Sequence, residues 1–496
     1  MPRPPAPATA GPTPGGRNPS RPLSAPAGSC QHRLRAHPHR GEGVPEPWDD
    51  RPRQGEGQAL LTRARRRTLL AGAVGNFIEW YDFGAYGYLT TVIAAQFFGG
   101  DGHGGAGDTE SLLKTYASFA LAFFFRPVGA ALLGRVGDRF GRRPAVILAI
   151  LTMTGATTAI GLLPTRAVLG AAAPWLLTLA RVVQGLSAGG EFGGAVALLT
   201  ESAPPRRRGL HGAWQSFTVA LGLLAGAGLT AALAAALGPD ALRDWGWRVP
   251  FLLALPLGLT GLWLRLGLTE TSGPGAGRDG PPEAAPAPAA VPAPRAVAHA
   301  IACLMGWSAA GYTFLVVLPT YLQHTLGLGL QQAAGATALA NLGFAAAVLP
   351  AGALSDRVSR RPVMAAGAVL SALLAVPVLW TVRSGGAPTA GKALAVLAAG
   401  AAVGLMAGPG PALLAELFPA RVRCTGLGLA YALSNAVFSG CAGLLVTGLV
   451  DRTGDAGIPA YYAAATCAVS AGALLSRRGR RTSADMRDAA SHDAVT

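Results

Sequence analysis

From residue 68 onward the chain alternates long apolar runs with short charged turns. At about 1.5 Å of rise per residue, a helix of about 20 apolar residues crosses the roughly 30 Å hydrocarbon core of a bilayer. Twelve runs meet that requirement: 68–94, 111–133, 145–163, 174–201, 210–236, 248–268, 297–321, 331–353, 363–382, 391–414, 424–449 and 458–476. An all-α membrane protein follows, because a helix is the way a lone segment satisfies its own backbone in lipid.

The polar positions give the orientation. One set of alternate turns holds Arg135, Arg139, Arg142 and Arg143, then Arg206, Arg207 and Arg208, then Arg357, Arg360 and Arg361, then Arg421 and Arg423, then Arg477, Arg478, Arg480 and Arg481. The other set holds Asp101, Asp108, Glu110, Asp240, Asp244, Asp451 and Asp455, with few scattered basic residues. Positive charge stays on the cytoplasmic side, so both termini are expected inside.

The runs are also duplicated. Gly134-Arg135-Val136-Gly137-Asp138-Arg139-Phe140-Gly141-Arg142-Arg143-Pro144 is echoed by Gly352-Ala353-Leu354-Ser355-Asp356-Arg357-Val358-Ser359-Arg360-Arg361-Pro362. Glu201, Pro204 and Arg208 are repeated at nearly the same offset by Glu416, Pro419 and Arg423. Two six-helix halves, 68–268 and 297–476, are expected, joined by a Pro/Ala/Gly-rich cytoplasmic linker at 269–296. Residues 1–67, rich in Pro, Arg and Gly, read as a disordered cytoplasmic tail, and 477–496 as a short polar one. Duplicated halves fit a transporter that rocks about a central site. The repeated turn then reads as a gate. Gly134, Asp138, Arg142 and Arg143, with Asp356, Arg360 and Arg361, are its candidate residues. The aspartates can meet a helix N-terminus, and the arginines can pair with acids of the neighbouring half or with lipid headgroups.

Composition changes little in this picture. Mean hydropathy is +0.37, and 13% of residues are charged, about half of what a soluble chain carries. The formal charge of +16 suggests nucleic acid, but the arginines sit in turns between apolar runs, so no nucleic-acid partner is expected. The five cysteines lack metal-ligand spacing, and no metal, cofactor or catalytic constellation is visible. Gly386-Ala387-Pro388-Thr389-Ala390-Gly391-Lys392-Ala393 approximates a phosphate-binding loop, but it lacks the final Ser/Thr and does not follow a strand. The chain is not expected to be an enzyme. The expected partners are a small-molecule substrate, protons and the bilayer, and a monomer is expected.

The chemistry lies in the few ionisable groups at membrane depth, which are costly there and so mark transport paths. Asn76, Glu79, Asp82 and Tyr86 recur at helical spacing in the first run; Arg181, Gln184, Ser187 and Glu191 do so in the fourth. Arg126 precedes Pro127 in the second. By helix rise, Glu79, Asp82, Arg126 and Glu191 fall roughly 20–26 Å below the outer face, and Arg181 lies nearer that face. Arg126 is thus the better-placed partner for Glu79 or Asp82. Glu79, Asp82 and Glu191 are the candidate proton carriers, and the spacing does not choose between Glu79 and Asp82. The second half offers Trp307, Tyr312, Tyr321, Asn341, Tyr431 and Asn435 for polar and aromatic contact. Gly185, Gly189, Gly193, Gly222 and Gly226 suit close helix packing.

Several of these stretches together resemble the major facilitator superfamily, and within it the metabolite–proton symporters. They are Gly75-Asn76-Phe77-Ile78-Glu79-Trp80-Tyr81-Asp82-Phe83, Phe125-Arg126-Pro127, Gln184-Gly185, Gly189-Gly190-Glu191, Trp245-Gly246-Trp247-Arg248-Val249-Pro250-Phe251 and both turns. Ala254-Leu255-Pro256-Leu257-Gly258 and Ile458-Pro459-Ala460-Tyr461-Tyr462 look most like proline/betaine carriers. The resemblance implies proton-driven uptake of a small zwitterionic osmolyte across a bacterial inner membrane. A proton-coupled carboxylate carrier, of 2-oxoglutarate, citrate or shikimate type with Arg126 as clamp, is the alternative within the class. A non-transporting membrane sensor is the alternative outside it. Ser359 stands where the family has glycine, which implies a weaker second latch, and the C-terminal tail lacks the heptad repeat of osmosensing members.

Overall fold

The structure is a computed structural model and describes residues 72–99, 109–140, 142–189, 203–266, 293–419 and 422–476, together with 196, 199 and 200. The tails, most of the linker, Glu191 and Gly193 lie outside the described residues, as do the side chains of Asp138, Arg142 and Arg143.

Within the described residues each apolar run is helical. In the first half α1 covers 72–88 and continues through Thr90–Ile93 and Ala94–Phe98, α2 is Thr109–Phe140, α3 Arg142–Leu162, α4 Ala172–Ala188, α5 Arg208–Ala241 and α6 Arg248–Leu266. In the second half α7 is Pro294–His324, α8 Leu330–Val358, α9 Arg360–Arg383, α10 Thr389–Leu417, α11 Arg423–Thr453 and α12 Ile458–Leu475. Among the described residues nine helices are long and apolar enough to cross a bilayer. With α1, α4 and α6 they make the twelve-helix architecture. Trp175, Trp263, Trp380 and Leu373 lie on the outward faces that lipid would cover.

Glycines set the closest approaches. A Cβ on Gly185 would lie 2.0 Å from the Ala122 carbonyl oxygen, and one on Gly189 2.0 Å from that of Arg126. Backbone therefore meets backbone between α2 and α4. The second half repeats the arrangement between α8 and α10, where a Cβ on Gly400 would lie 1.8 Å from the Ala340 oxygen and one on Gly404 2.8 Å from that of Phe344. Gly222 brings α5 equally near α1, with 2.5 Å from its virtual Cβ to the Phe77 oxygen. With little hydrophobic gain between helices in lipid, such contact is a main source of helix association.

The halves meet along α5 with α8, α2 with α11, and α1 with α7. At the end away from the basic turns, Thr91 donates to Gln323 at 3.0 Å and Thr109 to Asp451 at 3.0 Å. At mid-depth, Asn341 of α8 donates to the Tyr88 hydroxyl at 3.2 Å. Two helices widen into π turns at that level, Thr313–Val317 in α7 and Asn435–Gly440 in α11. Turns of that kind re-aim side chains, and they recur at functional sites.

Candidate substrate and proton site

The ionisable groups converge where α1, α2, α3 and α4 face α7. The Arg126 guanidinium lies 3.1 Å from Glu79, and both side chains are nearly enclosed. The same guanidinium stands 4.5 Å from the ring centres of Phe83 and Phe123 and 5.7 Å from Trp80. Tyr312 of α7 closes this group from the other half, 5.5 Å from Phe123 and 6.2 Å from Trp80. The cation is thus held by a carboxylate on one side and by aromatic faces on the others.

Arg181 lies one turn of α1 away and is fully buried. It donates to Gln184 at 2.6 Å and packs over Tyr86 and Phe119, at 4.2 and 4.9 Å. Phe83 separates the two guanidinium groups, at 4.5 Å from one and 4.9 Å from the other. Tyr86 shares a hydrogen bond of 2.6 Å with Ser118 of α2.

Asp82 has no exposed surface, and its Oδ1 has no hydrogen-bond partner. Its Oδ2 lies 2.8 Å from the Thr157 hydroxyl of α3. That hydroxyl also accepts from Gln184 at 2.7 Å and sits 2.9 Å from the Met153 carbonyl oxygen.

The polar stripe of α1 divides in the fold. Glu79, Asp82 and Tyr86 face α2, α3 and α4, whereas Asn76 turns to α5 and donates to the Gln215 carbonyl and to Thr218, at 3.1 and 2.6 Å. Asn76 lies about 120° from Asp82 at 100° per residue, which is enough to reach a different neighbour. From the second half Tyr312 packs on the cluster's rings, and Tyr431 lies within electrostatic reach of Arg126 and Glu79. Asn341 is tied to Tyr88 and the Leu315 carbonyl, Tyr321 donates to the Ala456 carbonyl, and Trp307 packs on Tyr431. Asn435 opens the π turn of α11 and accepts from Ser439 at 2.9 Å. Sequence reasoning missed Thr157, Ser118, Phe119 and Phe123. The last two were within reach, because Phe119, Phe123 and Arg126 share one face of α2 by spacing.

A family model for sugar (and other) transporters matches residues 68–272, and one for the major facilitator superfamily matches residues 300–491. An ectoine/proline transporter of Corynebacterium glutamicum is 35% identical over 429 residues, 83% of each chain. The chain belongs to the major facilitator superfamily. An alpha-ketoglutarate permease of Escherichia coli is 34% identical over 385 residues, 77% of this chain and 86% of that one. The crystal structure of a D-xylose-proton symporter shares the fold at a TM-score of 0.63 and 17% identity, covering 82% of this chain and 96% of that one. As a facilitator-superfamily member, the chain is a multi-pass membrane protein of a transporter family.

In this facilitator the described turn motif is that of the second half. Asp356, at the end of α8, accepts from the Gly209 and Leu210 amides at 2.8 and 2.9 Å and so caps α5 of the other half. Gly209 is needed there, since a Cβ would lie 2.3 Å from the Ser355 hydroxyl. Arg360 lies 3.0 Å from Asp356 and 3.1 Å from Glu416, both in its own half. The cross-half contact is therefore made by the aspartate, while the arginine braces it from behind. Arg361 lies in electrostatic reach of His299 on α7. Gly134, the matching position of the first turn, has open space where a Cβ would be.

Proposed function

We propose that the protein is a proton symporter for a small zwitterion such as proline or glycine betaine, carried into the cell across a bacterial inner membrane, with both termini cytoplasmic. The observation that carries this reading is the enclosed Asp82 carboxyl within electrostatic reach of Arg181, a guanidinium packed on the rings of Phe83, Tyr86 and Phe119. Thr157 has one hydroxyl proton for two acceptor neighbours, Asp82 and the Met153 carbonyl. With that proton on the carbonyl, the 2.8 Å contact is a hydrogen bond when Asp82 itself carries a proton and donates it. Asp82 is the proton carrier in this reading, and Glu79 holds Arg126 until substrate arrives. The substrate carboxylate pairs with Arg126, and its ammonium end takes the aromatic faces of Trp80 and Tyr312. Glu79 thereby loses its counter-ion, and release of the substrate restores it. The ectoine/proline relative supports a zwitterion, since both of its named substrates are zwitterions.

A carboxylate carrier is the second reading, favoured by two guanidinium groups flanking one ring and by the alpha-ketoglutarate relative. Uptake of labelled proline, glycine betaine and 2-oxoglutarate into proteoliposomes, with and without an inward proton gradient, separates the two. Gradient-driven accumulation of a zwitterion, lost in Asp82→Asn while substrate exchange persists, is the expected result. Accumulation of 2-oxoglutarate instead moves the assignment to the carboxylate class. Uptake indifferent to the gradient refutes symport, and no uptake of any substrate favours a sensor.

A further inference from the structure

We propose that the proton leaves this site by a route of its own, a cavity inside the first half that joins Glu79 to the basic end of the helices without passing between the halves. This rests on the symport reading above. The cavity, about 30 Å³, lies between α1, α3, α4 and α6 and is partly open, and its lining includes Ile78, Glu79, Ala149, Met153, Thr154 and Ser187. That volume is enough for water, which enters a cavity of this size when polar partners line it. Polar partners are present: the Glu79 carboxylate, the Thr154 hydroxyl, and Ser187, whose hydroxyl lies 3.0 Å from that of Thr152.

The position of the cavity gives it a direction. Its lining residues on α3 begin at Ala149, seven residues into a helix that starts at Arg142. Gly75 and Gly261 lie near the same ends of α1 and α6. All belong to the end that carries the arginine-rich turns. At about 1.5 Å per residue, Ala149 lies some 10 Å from the start of α3.

The cavity also reaches the proton site. Met153 lines it and accepts, through its carbonyl, from the Thr157 hydroxyl that contacts Asp82. Glu79 lies one turn from Asp82 on α1 and keeps a 10% exposed side chain, whereas Asp82 keeps no exposed surface. Among the described residues, the charged groups around Glu79 include Arg126 on α2 and Asp82 on its own helix, with Arg181 of α4 within reach of Asp82. When substrate draws Arg126 away, the Asp82 carboxyl gives its proton to the Glu79 carboxylate, and Glu79 gives it to water in the cavity. Trp80, Arg126 and Tyr312, which would hold the substrate, do not line this cavity, so the exit does not pass through the substrate's place.

Ala149→Leu, which fills the cavity, tests the route. Two rates are read in proteoliposomes: gradient-driven uptake of labelled proline, and counterflow, in which labelled exchanges for unlabelled substrate with no net proton movement. The expected result is a several-fold fall in gradient-driven uptake with counterflow unchanged. An equal fall in both, or no fall in either, overturns the route. Thr154→Val keeps the volume, removes a hydroxyl, and should shift the same ratio in the same direction if Ala149→Leu fails to fold. The unsubstituted protein keeps the two readings apart: if it ignores the gradient, symport itself fails, whereas a gradient response left intact in both variants removes only the route.

Discussion

Ser359 lies between α8 and α9 at φ 126°, ψ 156°, and among the described residues it is the one non-glycine residue with positive φ. That region of backbone space is used almost only by glycine, and holding another residue there costs about 1–3 kcal/mol. Ser359→Gly removes the cost. Glycine also gains freedom in the unfolded chain, which takes back about 0.5–1 kcal/mol. The net stabilisation expected is about 1 kcal/mol. In a chain of this length that raises the melting temperature by about 1–2 °C, since the shift per kcal/mol shrinks as size grows. Thermal unfolding of detergent-solubilised protein, followed by intrinsic fluorescence, measures it. Ser359→Ala is the control: it keeps the strain, so it should not be more stable than the parent. A glycine variant no more stable than the alanine variant would refute the strain argument. The serine would then be held there without cost by its surroundings.

Other outcomes follow from the same contacts. Gly400→Ala drives a Cβ to within 1.8 Å of a backbone oxygen, so it should destabilise by about 1–3 kcal/mol, while Gly228→Ala, with nothing near its virtual Cβ, should not; thermal unfolding reads both. Arg360→Ala should lower the melting temperature more than Glu416→Ala, because it strips the counter-ion from the nearly enclosed Asp356, whereas the Glu416 side chain is 32% exposed and screened. If the aromatic faces hold the substrate ammonium, Tyr312→Leu should raise KM for uptake of a zwitterion by about twofold to thirtyfold, and Tyr312→Phe should leave it near the parent value. Equal KM in all three proteins would remove Tyr312 from the site.

The helices were legible because lipid imposes one solution on a run of apolar residues, so length and charge alternation suffice. The proximity of Glu79 and Arg126 was legible too, since depth along two helices follows from residue count. What the count lacks is azimuth between neighbours. Asn76 shares the spacing of Glu79 and Asp82, yet its helix presents it to α5, because Gly222 brings that helix close at this point. Thr157 looked like one of several threonines in α3, and only its position against Asp82 and Gln184 gives it meaning. Asp356 is a further case. The repeated turn marks an aspartate at the end of an apolar run, but not which helix start it would meet, because that depends on how the two halves pack together.

The Asp356 cap has a consequence for measurement. The Gly209 and Leu210 amides are satisfied by a residue of the opposite half, so whatever separates α8 from the start of α5 leaves them to water. Their exchange with deuterium therefore reports on separation of the halves at that end, peptide by peptide, with no label attached. Slowed exchange at these two positions on adding a candidate ligand would mark it as one that holds that end shut, and quickened exchange as one that opens it.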